Sequence, residues 1–285
     1  MLKSQLKHST VMTNEAVHHV EANGLSFTFL EEGKGPLVLL LHGFPDTARS
    51  WDHVRPRIAA KGFRAVSPWM RGYAPTAIPD RDADLETLAR DALALIQALG
   101  ERTAILVGHD WGAAASYAAA SLEPARIQKL FTIGIPHPAT LKPSPNNLWA
   151  ARHFIAYKFP GAAGRFAKDD FAALPVIYKR WSPAWSPPAE EFAAVRASFA
   201  NRASLDAAFG YYRQLRFRPQ PFLRKKIDVP TVAFAGLDDD LIKPEVYTAA
   251  KRMFTSSYVV EQMRGGHFMH REHPEVFADK LLAHL

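Results

Sequence analysis

Ala104-Ile105-Leu106-Val107-Gly108-His109-Asp110-Trp111-Gly112-Ala113-Ala114-Ala115 reads as a short buried strand that turns at once into a helix, with an aspartate at the corner. Ile105, Leu106 and Val107 are strand-like, Gly108 and Gly112 flank the turn, and the run from Ala113 to Ala120 favours a helix. The arrangement Gly-x-nucleophile-x-Gly is a nucleophile elbow. A strained turn leaves no room for side chains beside the nucleophile, and the helix N-terminus behind it favours the negative charge that develops there. Serine or cysteine at the centre would predict an esterase or thioesterase; Asp110 predicts alkylation of a carboxylate.

Outward from the elbow the chain alternates strand and helix. Val17 to Val20 and Leu25 to Leu30 flank an Asn23-Gly24 turn as an antiparallel hairpin. Leu37 to Leu41 predicts a buried strand, Trp51 to Ala60 a helix, Arg64 to Ser67 a strand, Leu85 to Leu99 an amphipathic helix and Ile127 to Ile133 a strand. The rhythm breaks between His137 and Phe222, where helical stretches rich in Ala, Phe, Tyr and Arg are punctuated by Pro160, Pro175, Pro183, Pro187 and Pro188. It resumes with strands at Thr231 to Ala235 and Tyr258 to Met263 and ends in a helix from Pro274 to Leu285. The expectation is an α/β class, a mostly parallel sheet covered by helices on both faces. Its core comprises residues 15–136 and 223–285, with an inserted helical cap over 137–222 and a disordered segment over 1–14.

At 285 residues and 48% hydrophobic content, the chain can bury one large core. No apolar run approaches the roughly 18 residues of a membrane span, and the polar start does not resemble an export signal, so the expected location is cytoplasmic. With no cysteine, disulfides, thiolate metal sites and a cysteine nucleophile are excluded. The net charge of +7 comes from scattered basic residues, the longest cluster being Arg224-Lys225-Lys226, and no aromatic-basic stripe marks a nucleic-acid surface.

Three further signals stand at the C-terminal ends of expected strands, where ligands bind in open α/β sheets. Gly236-Leu237-Asp238-Asp239-Asp240 supplies an acid, and Gly265-Gly266-His267 a histidine, giving the order nucleophile, acid, histidine. Asp238, Asp239 and Asp240 compete for the acid role. The position three beyond Gly236 and five before Pro244 favours Asp239, with Asp238 next. In this chemistry Asp110 attacks an electrophilic carbon to form an ester, and His267, oriented by the acid, deprotonates the water that hydrolyses it. His42-Gly43-Phe44-Pro45 follows another strand; the backbone N–H groups of Phe44 and Trp111 are the candidate oxyanion hole. His42 is expected to hold that loop, while Asp46 and Arg71 are strand-end polar residues without an assigned role.

The segments HGFPD, GHDWG, GLDDD and GGH, in that order, resemble the α/β-hydrolase superfamily from about residue 17 to the end, and within it the epoxide hydrolases and their dehalogenase relatives. The resemblance implies an α/β-hydrolase fold with a helical lid, and lid side chains that donate hydrogen bonds to the epoxide oxygen. Gly210-Tyr211-Tyr212-Arg213 resembles the family's Tyr-Arg motif and carries one donor onto Tyr212; spacing from Phe159-Pro160-Gly161 carries the other onto His153. A His-Tyr pair is similar to a minority branch of epoxide hydrolases and also to the halide site of fluoroacetate dehalogenases. The latter carry arginines just after the nucleophile, where this chain has Trp111 and Ala114. Haloalkane dehalogenases commonly clasp the halide with that tryptophan plus an asparagine where this chain has Phe44, or a lid tryptophan, for which Trp149, Trp181 and Trp185 are candidates.

Trp111, Phe44, Phe154 and Tyr157 are the candidate substrate-binding residues. The expected substrates are a small or medium hydrophobic epoxide and water, with no cofactor or metal implied. A second copy of the chain is a candidate partner; nucleic acid and membrane are not. The alternatives are a haloalkane or haloacid dehalogenase using the same Asp110, and a non-catalytic receptor that keeps the fold.

Overall fold

The computed structural model describes residues 16–141, 152–216, 219–240 and 242–285, with the side chains of Arg152 and His153 outside the description. The expected N-terminal disorder and Trp149 fall outside the described residues.

Eight strands form one sheet in the order β1-β2-β4-β3-β5-β6-β7-β8. They are β1 (Val17–Ala22), β2 (Leu25–Glu32), β3 (Leu37–Leu41), β4 (Arg64–Pro68), β5 (Ala104–His109), β6 (Ile127–Ile133), β7 (Thr231–Gly236) and β8 (Tyr258–Met263). β2 pairs antiparallel with β1 and β4, and every other neighbouring pair is parallel. The Asn23-Gly24 turn has positive φ at both residues, 46° and 71°, as a tight hairpin requires. β3, β5 and β7 are buried along their whole length, because helices cover both faces of a parallel sheet. The pleat divides the core accordingly. Leu37, Leu39 and Leu41 join the apolar cluster on one face, whereas Val38 and Leu40 join the cluster with Trp51, Val107, Phe234 and Phe277 on the other.

The expected helix from Trp51 to Ala60 is corrected. A 3-10 turn spans Ala48–Trp51, and the α-helix begins only at Arg55–Ala60. Pro56 is the reason: without an N–H it is tolerated in the first turn of a helix and not in the interior. The helix at Leu85–Ala98 starts one residue after Asp84, whose carboxylate accepts the Thr87 N–H at 2.9 Å and so caps it.

Between β6 and β7 the described chain is helical, with helices at Arg152–Lys158, Ala162–Phe166, Ala173–Trp181, Ala193–Ala200 and Arg202–Gln214. Their apolar faces bury Phe166, Leu174, Val195, Phe199, Leu205 and Phe209. Side chains tie this layer to the sheet ends. The Tyr178 hydroxyl donates to the Pro45 carbonyl at 2.9 Å, the Tyr211 hydroxyl donates to the Arg71 carbonyl at 2.6 Å, and Arg213 forks onto both Asp82 oxygens at 2.7 Å. Among the described residues no helix is long and apolar enough to cross a membrane.

Candidate active site

The nucleophile candidate sits where the chain is most constrained. Asp110 follows β5 directly and has φ 50° and ψ −116°, a strained conformation for a residue with a side chain, before the helix Trp111–Leu122 begins. Packing leaves no choice at the neighbouring positions. A Cβ on Gly112 would collide with the Leu41 carbonyl, and one on Gly43 would collide with the Asp110 side chain itself. The strain is held by a backbone bond from Asp110 N–H to Ile133 O at 3.1 Å and by the helix, whose Ala114 N–H donates to Asp110 O at 3.0 Å.

One Asp110 oxygen, Oδ1, accepts the backbone N–H of Phe44 at 2.8 Å. The other, Oδ2, lies 3.5 Å from His267 Nε2. On the far side of the imidazole, Nδ1 is 3.8 Å from Asp239 Oδ2. Burial alone would push the His267 imidazole down, but the two carboxylates outweigh it and raise it to about 9. Of the three acids after Gly236, Asp239 alone is buried; its Oδ1 accepts the Ile242 N–H at 3.2 Å. Asp238 instead fixes the histidine loop, accepting the Gly265 N–H at 2.9 Å, and Asp240 pairs with Lys243 at 3.2 Å.

Around Asp110 the walls are aromatic. The Trp111 ring meets Tyr212 edge-on at 5.2 Å, and Phe44 meets Tyr157 and Tyr212 edge-on at 5.5 Å each. Phe154 lies 5.3 Å from Tyr212. Tyr212 is fully buried, and its hydroxyl makes no hydrogen bond among the described residues. Burial first, then the Asp110 charge and Tyr157, push this phenol well above its ordinary range, with the Trp111 indole acting weakly the other way. It therefore stays a protonated donor. Tyr211, one residue earlier, spends its hydroxyl on Arg71 O. The His153 side chain lies outside the described residues.

His42 donates from Nδ1 to the Gly43 carbonyl at 3.0 Å and accepts the Met70 N–H on Nε2 at 2.9 Å, and burial holds it down at about 4. It is a neutral brace for the loop that carries Phe44. The polar residues without assigned roles find partners: Arg71 takes both oxygens of Asp91, at 2.6 and 2.7 Å, and Asp46 pairs with Arg271 at 3.1 Å. Sequence reasoning missed the supports of His267. Its N–H donates to Trp181 O at 2.8 Å, and its carbonyl accepts from His109 Nε2 at 3.0 Å. Glu272 accepts both the Gly266 N–H at 2.8 Å and the Ser182 hydroxyl at 2.5 Å. Nothing in their spacing marks these residues; only the folded loops bring them together. The Trp185 ring, a halide-site candidate, lies tilted against Tyr178 and Phe268 at 5.8 and 6.3 Å.

The model of a family described as alpha/beta hydrolase fold matches residues 36–274. The chain belongs to the α/β hydrolase fold family. Among relatives of this α/β hydrolase, the AB hydrolase superfamily protein YfhM of Bacillus subtilis is 27% identical over 281 residues, 93% of this chain and 96% of that protein. An epoxide hydrolase of Caballeronia sordidicola is 41% identical over 122 residues, 42% of this chain and 37% of that protein. The crystal structure of an epoxide hydrolase from Vigna radiata is similar with a TM-score of 0.80 at 25% identity, covering 95% of this chain and 97% of the other.

Proposed function

We propose that this α/β hydrolase opens a hydrophobic epoxide to a vicinal diol through an alkyl ester on Asp110. The observation that carries the reading is the buried, unspent hydroxyl of Tyr212 beside a carboxylate that is itself held by the Phe44 N–H and faced by His267. Epoxide hydrolases among the relatives and structural neighbours support the same reading.

Asp110 Oδ2, the oxygen not held by Phe44, attacks an epoxide carbon. The C–O bond of the ring breaks, and its electron pair goes to the epoxide oxygen, which takes the proton of Tyr212. In the ester, Asp110 has lost its charge. Of the two carboxylates that held the His267 proton only Asp239 stays charged, so the imidazolium gives that proton to the Tyr212 phenolate, through water, and becomes a base. His267 Nε2 then removes a proton from water, the hydroxide adds to the ester carbon, and negative charge develops on Oδ1, where the Phe44 N–H already points and the Trp111 N–H stands at the first turn. Collapse releases the diol oxygen with the proton from His267, and the remaining proton of the water, left on the Asp110 carboxyl, returns to His267.

His153 is the second proton donor in this proposal. Asp239 is the acid that orients His267, and Phe44, Trp111, Phe154 and Tyr157 form the apolar wall for the substrate. Residues 137–222, whose described helices lie between β6 and β7, are the cap in this proposal.

Purified wild type and Asp110→Ala are assayed on aryl and alkyl epoxides and on haloalkanes, scoring diol and free halide separately. Diol from wild type alone supports the proposal. Halide without diol moves the chain to dehalogenase chemistry, and a ligand bound tightly without either product points to a receptor. A single turnover in heavy-oxygen water tests the ester: the first diol carries ordinary oxygen from Asp110, whereas direct attack by water gives labelled diol.

A further inference from the structure

Behind His267, away from Asp110, a second polar cluster is buried. Asp46, in the loop after β3, His109, the last residue of β5, and His270, in the short helix Met269–Glu272, each bring a ligand-type atom within 4.8 Å of the other two. All three residues are buried, and the His109 and His270 rings stand 4.4 Å apart.

The hydrogen bonds around the cluster leave lone pairs facing inward. His109 Nε2 sits 3.0 Å from the His267 carbonyl, which can only accept, so the proton of His109 is on Nε2 and its Nδ1 presents a lone pair with no partner. Asp46 Oδ1 accepts from Thr47 N–H at 2.9 Å and Arg271 Nη1 at 3.1 Å, while Oδ2 has no partner. Among the described residues neither ring nitrogen of His270 is bonded. Buried acceptors left without a partner cost about 1–3 kcal/mol each.

We infer that Asp46 Oδ2, His109 Nδ1 and one ring nitrogen of His270 form a site for a single divalent transition-metal ion of the zinc type. Two imidazole nitrogens and a carboxylate oxygen are donors for such an ion, at about 2.0–2.2 Å each, and a water completes four-coordination. The outer contacts fit as well. A ligating histidine ordinarily gives its other N–H to a carbonyl or carboxylate, as His109 does, and a ligating carboxylate is itself hydrogen-bonded, as Asp46 is. The buried Arg271 guanidinium is shared between two carboxylates, Asp46 and Glu191, at 3.1 and 2.5 Å, so Asp46 does not hold it alone.

The ion would brace the three segments that carry Phe44, Asp110 and His267. With its ligands buried, it enters as the chain folds and is retained afterwards.

The test uses the full chain without a polyhistidine tag, expressed with added zinc and, separately, refolded with cobalt. The expected result is about one zinc per chain after dialysis against chelator and a tetrahedral cobalt absorption band, both lost in His270→Gln and in Asp46→Asn. Wild type that holds no stoichiometric metal after either treatment overturns the inference and leaves a cluster bridged by water. Metal that persists undiminished in folded His270→Gln also overturns it, because the ion then lies elsewhere. Wild-type stoichiometry and the cobalt band decide the matter if the variants fail to fold.

Discussion

The loops at the sheet ends and the helical layer above them hold their functional residues by different means. In the loops, backbone does the holding: Asp110 N–H to Ile133 O, Phe44 N–H to Asp110 Oδ1, His267 N–H to Trp181 O, Asp238 N–H to Gly265 O. In the helical layer, the Tyr212 side chain is placed by ring contacts, with Trp111, Tyr157, Phe154 and Phe44 all between 5.0 and 5.5 Å away. A backbone bond places a residue whatever its side chain, and the close approach around it demands glycine beside it, as at Gly43 and Gly112, whereas a ring contact accepts any aromatic. The chemistry of a loop residue can therefore be read from its neighbours in the chain, and that of a helical-layer residue depends on which hydroxyl is left unspent.

The largest effect expected from breaking this contrast is at Asp110. Asp110→Ala should cut turnover by about 10⁴-fold or more while the protein stays folded by circular dichroism. Retained diol formation would mean that the elbow is only a turn.

Next come the adjacent tyrosines. Tyr212→Phe should lower turnover by about 10²-fold, the scale of losing one donor to a developing oxyanion, with no loss of stability, since its hydroxyl has no partner to leave. Tyr211→Phe should do the reverse, keeping turnover but costing about 1 kcal/mol in denaturant unfolding through the lost bond to Arg71 O. Equal behaviour of the two variants would erase the distinction drawn between them.

A smaller effect is expected in the pH dependence of stability. His267 is raised to about 9 by Asp110 and Asp239 against its burial, with His109 and His270 behind it neutral. A raised folded-state value means that the contribution is complete below the ordinary 6.5 and is lost as pH climbs through about 9. Wild type should lose stability across that window. His267→Gln, which cannot titrate, should show a flatter curve in chemical denaturation at stepped pH.

Smallest is the ion pair between the layers. Arg213 and Asp82 keep 30% and 27% of their side chains exposed, so Arg213→Gln should cost less than about 1 kcal/mol. A loss of several kcal/mol would show that the helical layer is clamped by charge rather than by its aromatic contacts.

The sequence by itself determined the strand-helix alternation, the elbow and the chain order of Asp110, Asp239 and His267. Each of these is local: a run such as Leu37–Leu41, buried on both faces, must be apolar throughout, and a turn at Asp110 needs Gly112 because Leu41 backbone occupies the space of a Cβ. The spacing argument for Asp239 is local too; that acid is buried and its two neighbours are exposed. Where local reading failed, as in the helix expected from Trp51, the apolar period was followed through Pro56, which can only start a helix.

The tertiary structure alone decided what meets across the chain. It tied the Tyr211 hydroxyl to the Arg71 carbonyl, drew Trp181, Ser182 and Glu272 together around the His267 loop, and gathered Asp46, His109 and His270 into one buried cluster. These residues lie up to 224 positions apart, from Asp46 to His270. Side-chain contact over such separations is settled by how helices and loops pack over the sheet ends, and periodicity carries no record of it.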